Sequence, residues 1–154
     1  MIKINYVIAT YNGKCNRIHK YPPPEDVLKS HVKKILSLET NISQITIMKA
    51  SSTNYYKNYY NINDIVKQSR IPIKIIDCEN FGYSEGQWLK AYEIYKNQFD
   101  YYLFMEDDYC PNMENFDKIL IECYNNKFSK NIGLLCALVE GSSDYKNTGT
   151  YPIH

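Results

Sequence analysis

Ile4 to Ala9 alternates or runs apolar and closes on Thr10-Tyr11-Asn12-Gly13, a group of turn-forming residues. The pattern predicts a first strand followed by a loop. Pro22-Pro23-Pro24 marks a stiff extended connector, and Pro24 suits the first turn of a helix, where its missing N–H costs nothing. From Glu25 to Glu39 the apolar residues Leu28, Val32, Ile35 and Leu38 recur at helical spacing. Glu25 and Asp26 fall in that first turn, where the helix dipole favours anions. Ile42 to Met48 is β-branched and predicts a second strand. The Tyr-rich stretch Ser51 to Asn61 predicts a loop or irregular helix, Asn63 to Ser69 a short helix, and Pro72 to Asp77 a third strand closed by Glu79-Asn80-Phe81-Gly82.

Ser84 precedes Gln87 at capping-box spacing and predicts a helix N-cap. The helix that follows carries Trp88, Tyr92, Tyr95 and Phe99 at positions i, i+4, i+7 and i+11. Tyr101 to Met105 is wholly apolar, which predicts a central strand buried on both faces. It runs straight into Glu106-Asp107-Asp108-Tyr109-Cys110-Pro111. Phe116 to Tyr124 predicts a further helix and Ile132 to Val139 a fifth buried strand. The tail from Glu140 to His154 is polar and rich in Gly, Ser and Thr.

Strands and helices thus alternate, which argues for an α/β fold: a mostly parallel central sheet with helices on both faces, a Rossmann-like three-layer sandwich. At 154 residues the chain corresponds to one domain, residues 1–154. It stops in a loop-like segment, Thr148-Gly149-Thr150-Tyr151-Pro152-Ile153-His154, soon after a predicted buried strand, so the domain is expected to lack C-terminal structure.

Composition narrows the function classes. The chain is 44% hydrophobic and 23% charged, which is globular. A formal net charge of +1 with scattered lysines gives no field for nucleic acid, and no nucleic-acid partner is expected. No apolar run approaches the roughly 20 residues that span a bilayer, and the N-terminus lacks the features of a signal peptide, which points to the cytoplasm. The 5 cysteines, Cys15, Cys78, Cys110, Cys123 and Cys136, are odd in number and form no CxxC pair, so they read as reduced, mostly buried thiols. The 16 tyrosines accompany heavy use of Asn, Lys and Ile, and that compositional bias argues nothing about carbohydrate stacking.

The chemistry concentrates in Glu106-Asp107-Asp108. Ligands of open α/β sheets bind outside the carboxyl ends of the strands, and three consecutive acids there repel one another unless a positive group offsets them. In an extended segment Glu106 and Asp108 face one side and Asp107 the other. Two carboxylates on one side suit Mg²⁺ or Mn²⁺, which keep some waters and take phosphate oxygens as further ligands. Such a cation would neutralise a leaving diphosphate. A solvated acidic loop is the alternative. The helix opened by Ser84-Glu85-Gly86-Gln87 offers free N–H groups to a diphosphate, and Gly86 would allow close approach, although capping alone also accounts for Ser84 and Gln87. Trp88 reads as core, and Lys14 and Arg17 as solvated loop charges. His19 and His31 have no local partner and receive no role.

Tyr101-Tyr102-Leu103-Phe104-Met105-Glu106-Asp107-Asp108 resembles the apolar strand and DxD-type motif of GT-A-fold glycosyltransferases. Val7-Ile8-Ala9-Thr10-Tyr11-Asn12 resembles their opening strand and base-binding loop. Asn80-Phe81-Gly82-Tyr83-Ser84-Glu85-Gly86 resembles their loop beneath the nucleotide. The resemblance spans about Ile4 to Glu140 in element order, and only the acidic triplet in context is specific. The triplet begins with Glu in place of Asp, a departure that keeps the carboxylate oxygens.

The resemblance implies a nucleotide-diphosphate-sugar donor, Mn²⁺ or Mg²⁺, and a carbohydrate or protein acceptor, as for a hexosyl- or deoxyhexosyltransferase. It puts Asp108 on the metal, Glu106 near the ribose or the metal, and His154 as the residue that completes the metal site. Thr10, Tyr11 and Asn12 would lie near the base, with Asp77 or Glu79 accepting from the base N–H. Asn80, Ser84, Gln87 and Asp107 would complete the donor site. Glu140 and Asp144 are the candidates for the general base, and a fragment lacking that base would bind donor without efficient transfer. Two rivals remain. A sugar nucleotidyltransferase should carry a Gly-rich, basic phosphate loop after its first strand, for which Thr10-Tyr11-Asn12-Gly13-Lys14 is poor support. A catalytically degenerate domain would bind a nucleotide or partner only. A dinucleotide oxidoreductase is disfavoured because no GxGxxG follows a strand.

Overall fold

The computed structural model describes residues 2–12, 24–51 and 62–127. In chain order these form β1 (Ile4–Asn12), α1 (Pro24–Ser37), β2 (Gln44–Ser51), α2 (Asn63–Gln68), β3 (Ile73–Cys78), α3 (Tyr83–Tyr95), β4 (Tyr101–Glu106) and α4 (Phe116–Lys127). The four strands make one sheet in the order β3-β2-β1-β4, and every pair is parallel. The fold is therefore α/β, compatible with a Rossmann-like sandwich. The predicted fifth strand, 132–139, lies outside the described residues.

The chain divides into two compact units, Met1–Asp117 and Lys118–His154. The first contains the sheet, α1 to α3 and the start of α4. In the second, the described residues continue α4, where Lys118 and Glu122 form an exposed i,i+4 ion pair at 4.0 Å.

Alternation along β1 decides which helix covers which face. Val7 packs with Met48 of β2 and Ala91 of α3, flanked by Ile76, Cys78, Trp88, Tyr102 and Phe104. Tyr6, one residue earlier, points to the opposite face and bonds His31 of α1. Leu28, Val32, Ile35 and Leu38 are all buried, as their helical spacing predicts. Full burial of each such side chain contributes ~1.5–3 kcal/mol. The end of α1 is held by Arg70, whose guanidinium donates to the Leu36 and Leu38 carbonyls at 3.3 and 2.5 Å. These are carbonyls that a helix C-terminus leaves without an internal partner.

One expectation about the strands needs correction. Thr10, Tyr11 and Asn12 are not a turn: β1 runs through them, in register with Lys49, Ala50 and Ser51. The reason is that β2 also runs on past Met48 and supplies the ladder for three more residues. The central place expected of β4 depends on residues outside the described ones; among the described strands it stands at the edge. It pairs with β1 alone, while β1 and β2 lie between neighbours. Its apolar run is covered on the α3 side by stacked rings, Trp88 on Phe104 and Phe104 on Tyr102, and every β4 residue is half-buried. Among the described residues no helix is long and apolar enough to cross a membrane.

Candidate functional site

The chain steps outward from β1 to β2 and β3, then returns to the other side of β1 as β4. The strand order thus reverses between β1 and β4, and in open α/β sheets the crevice at the carboxyl ends beside such a reversal is where ligands bind. Thr10 and Glu106-Asp107-Asp108 stand at that point, since Ala9 and Glu106 are the last residues of β1 and β4 in register.

Glu106 and Asp107 point to opposite sides, as alternation requires. Glu106 shares the α3 face with Tyr102 and Phe104, and the Ser84 hydroxyl donates to its Oε1 at 2.7 Å. Glu85 Oε2 lies 3.2 Å from the same hydroxyl. One proton cannot serve two carboxylates, and the shorter contact goes to Glu106. Asp107 turns to the α1 face, where its Oδ2 accepts the Thr10 hydroxyl at 2.5 Å. Its N–H donates to the Ala9 carbonyl at 3.1 Å, and its carbonyl lies 3.0 Å from Nδ1 of His31.

The triplet is extended only as far as Glu106. Asp107 and Asp108 form a turn, which the Tyr109 N–H closes on the Glu106 carbonyl at 3.3 Å. Alternation therefore does not pair Asp108 with Glu106. Asp108 is exposed at the tip of the turn instead. Among the described residues no group of three or more His, Cys, Asp or Glu side chains is gathered to hold a metal ion. Glu106 and Asp108 offer carboxylate oxygens alone, a donor set that fits a hard cation whose remaining ligands are water and phosphate.

The start of α3 also departs from expectation. Its N-cap is Gly82, with φ 69°, and no side chain caps the helix. The first helical bond runs from the Gly86 N–H to the Gly82 carbonyl at 3.0 Å. Ser84 lies inside the first turn, which leaves its hydroxyl free for Glu106. Gln87 is buried and accepts the Thr10 N–H at 3.0 Å in place of reaching back to the cap. Gly86 does permit a close approach, but the group that approaches is the Phe81 carbonyl, which a Cβ on Gly86 would overlap. Tyr83 also has a positive φ, 54°. Gly82 and Tyr83 thus both stand in the left-handed region, which residues other than glycine rarely enter. Phe81 and Tyr83, on either side of Gly82, are 82% and 81% exposed.

The remaining candidates are dispersed. Asp77 pairs with Lys49 at 2.6 Å across β2 and β3 and is 77% exposed. Glu79 and Asn80 are exposed, and Tyr11 is half-buried. Asn12 ends β1, but its side chain lies outside the described residues, as do Glu140, Asp144 and His154. Trp88 is core: its indole N–H donates to the Met105 carbonyl at 3.1 Å. Cys78 and Cys123 are free and half-buried; Cys110 is free but exposed, against the expectation of burial.

The residue that sequence reasoning missed is His31. It is 2% exposed and bonded at both ring nitrogens, to Tyr6 Oη at 2.8 Å and to the Asp107 carbonyl. Burial pushes its pKa down to about 4, against the opposing pull of the Asp107 carbonyl and the Asp108 carboxylate. A signal was present, because His31 falls three residues after Leu28 and four before Ile35, on the apolar stripe of α1.

In comparisons with known protein families, curated proteins and solved structures, the chain matches none of them.

Proposed function

We propose that the crevice between the ends of β1 and β4 binds the diphosphate of a nucleotide-sugar donor together with Mn²⁺ or Mg²⁺, and that the chain is a metal-dependent glycosyltransferase of the GT-A type. The observation that carries the reading is the setting of Glu106: a carboxylate at the strand-order reversal, oriented by Ser84 from the first turn of α3.

Each residue then has a task. Glu106 and Asp108 would hold the cation through oxygen, a donor set that leaves positions for phosphate and water, and His154 is the candidate further ligand that the resemblance names. When bound, the cation neutralises charge on the departing diphosphate. Ser84 fixes the rotamer of Glu106. Thr10 and Gln87 join β1 to α3 beneath the donor. Tyr11, Asn12, Asp77, Glu79 and Asn80 are assigned to the base, where Asp77 can keep Lys49 on Oδ1 and accept a base N–H on its other oxygen. Glu140 or Asp144 takes the proton of the acceptor hydroxyl, on a carbohydrate or protein.

Titration calorimetry with several nucleoside diphosphates, with and without Mn²⁺, tests the binding half. Metal-dependent binding supports the proposal, and absence of binding to all of them at millimolar concentration refutes it. Incubation with nucleotide sugars tests the second half. Binding without hydrolysis or transfer replaces the enzyme with a domain that only binds.

A further inference from the structure

We infer that His31 is a positioning residue for the acidic turn: a neutral imidazole carrying its proton on Nδ1, which ties the Asp107 carbonyl to the buried Tyr6 hydroxyl and so sets where Glu106 and Asp108 present their carboxylates. The inference rests on the proposed role of those two acids as cation ligands, but the positioning itself can be read without any ligand.

The tautomer follows from the partners. A carbonyl only accepts, so the 3.0 Å contact between Nδ1 and the Asp107 carbonyl requires a proton on Nδ1. In a neutral ring Nε2 then carries a lone pair and accepts the Tyr6 O–H at 2.8 Å. Tyr6 is fully buried, and its ring is packed edge-on against both His31 and Phe116, at centroid distances of 5.7 and 5.9 Å. The hydroxyl is thus a fixed post, and His31 transmits its position to the turn.

The turn is gripped from two elements. From β1, the Ala9 carbonyl accepts the Asp107 N–H and the Thr10 hydroxyl donates to the Asp107 carboxylate. From α1, His31 holds the Asp107 carbonyl. Asp107 is the residue between the two proposed ligands, so movement of its peptide plane moves both. Any buried imidazole needs partners for its ring nitrogens; what singles out His31 is that one partner is the main-chain carbonyl between the two proposed ligands, and a cation site depends on the outer residues that orient its ligands.

Two substitutions separate positioning from bulk stability. In His31→Asn the amide nitrogen takes the place of Nδ1, keeping the bond to Asp107 while losing Tyr6. In His31→Gln the amide takes the place of Nε2, keeping Tyr6 while losing Asp107. Amide hydrogen exchange across Asp107 to Tyr109, corrected for global stability, should rise about fivefold in His31→Gln and stay near wild type in His31→Asn, since one bond is worth about 1 kcal/mol. Mn²⁺-dependent binding of uridine diphosphate should weaken about tenfold or more in His31→Gln and recover in His31→Asn. If exchange at the turn is the same in both variants, the inference is overturned. If exchange separates them while the wild-type chain binds no Mn²⁺ and nucleotide, the positioning stands and the functional reading falls. A long-range ¹H–¹⁵N spectrum of the wild-type chain needs no variant to fold. It should show His31 protonated at Nδ1, and protonation at Nε2 alone would overturn the inference.

Discussion

The side-chain oxygen of Gln87 accepts the main-chain N–H of Thr10 at 3.0 Å, tying the first turn of α3 to the end of β1. Gln87 is buried, so losing the acceptor exposes a donor to an environment with little water. Gln87→Met keeps the length of the side chain and removes the acceptor. It should lower the unfolding free energy by about 1–3 kcal/mol, read from the urea midpoint. An unchanged midpoint would mean that the bond contributes nothing net.

Gly86 offers a sharper test of the same loop. The Phe81 carbonyl occupies the space a Cβ would need, and the carbonyl carbon would lie 2.8 Å from it. Backbone cannot swing aside as a side chain can. Helix propensity favours Ala over Gly by ~1 kcal/mol, so propensity alone predicts that Gly86→Ala stabilises. The overlap should win, with a net loss of about 1–3 kcal/mol and faster exchange in the first turn of α3. A stabilised Gly86→Ala protein would show that the loop relaxes freely.

Which parts of this arrangement could be read from the residues follows from what each signal reports. Leu28, Val32, Ile35 and Leu38 announced the buried face of α1 because helical spacing is a local property. The opposed directions of Glu106 and Asp107 also followed from a local rule, strand alternation. Thr10 to Asn12 read as a turn because their residue types favour one, yet a neighbouring strand of sufficient length overrode that preference. Ser84 and Gln87 had the spacing of a capping box, but each bonds a residue far away in the chain, Glu106 and Thr10. Spacing rules do not see such partners. His31 escaped for the same reason: its partners are Tyr6, inside β1, and Asp107, just after β4, both distant in the chain.

Acid should weaken the fold through His31. Burial lowers its pKa from an ordinary 6.5 to about 4 in the folded chain. Between those values the unfolded chain binds more protons than the folded one, so stability rises with pH across that window. The contribution is fully present above about pH 6.5 and is lost as pH falls toward 4. The shift corresponds to about 3 kcal/mol at most. His31→Asn cannot titrate, so its unfolding free energy should lack this component between pH 6.5 and 4. Parallel pH profiles for the two proteins would rule out His31 as the source.

The two aspartates of the triplet should separate stability from binding. Asp107 is anchored through its side chain to Thr10, and Asp107→Ala removes the acceptor of that hydroxyl, which should cost about 1–3 kcal/mol. Asp108 is exposed, and Asp108→Asn keeps its shape, so stability should change by no more than about 0.5 kcal/mol. Binding should respond in the opposite order. Mg²⁺ or Mn²⁺ held by few carboxylates binds weakly alone and more tightly once diphosphate oxygens fill its remaining positions. Metal and nucleotide should therefore strengthen each other, by the same factor in both directions. Asp108→Asn should abolish that mutual factor in paired calorimetric titrations, metal into nucleotide-bound protein and nucleotide into metal-bound protein. Asp107→Asn keeps an amide oxygen for Thr10 and should reduce the factor less. If Asp108→Asn leaves metal-dependent nucleotide binding unaltered, the acidic turn is not the cation site, and the glycosyltransferase reading loses the residue on which its chemistry depends.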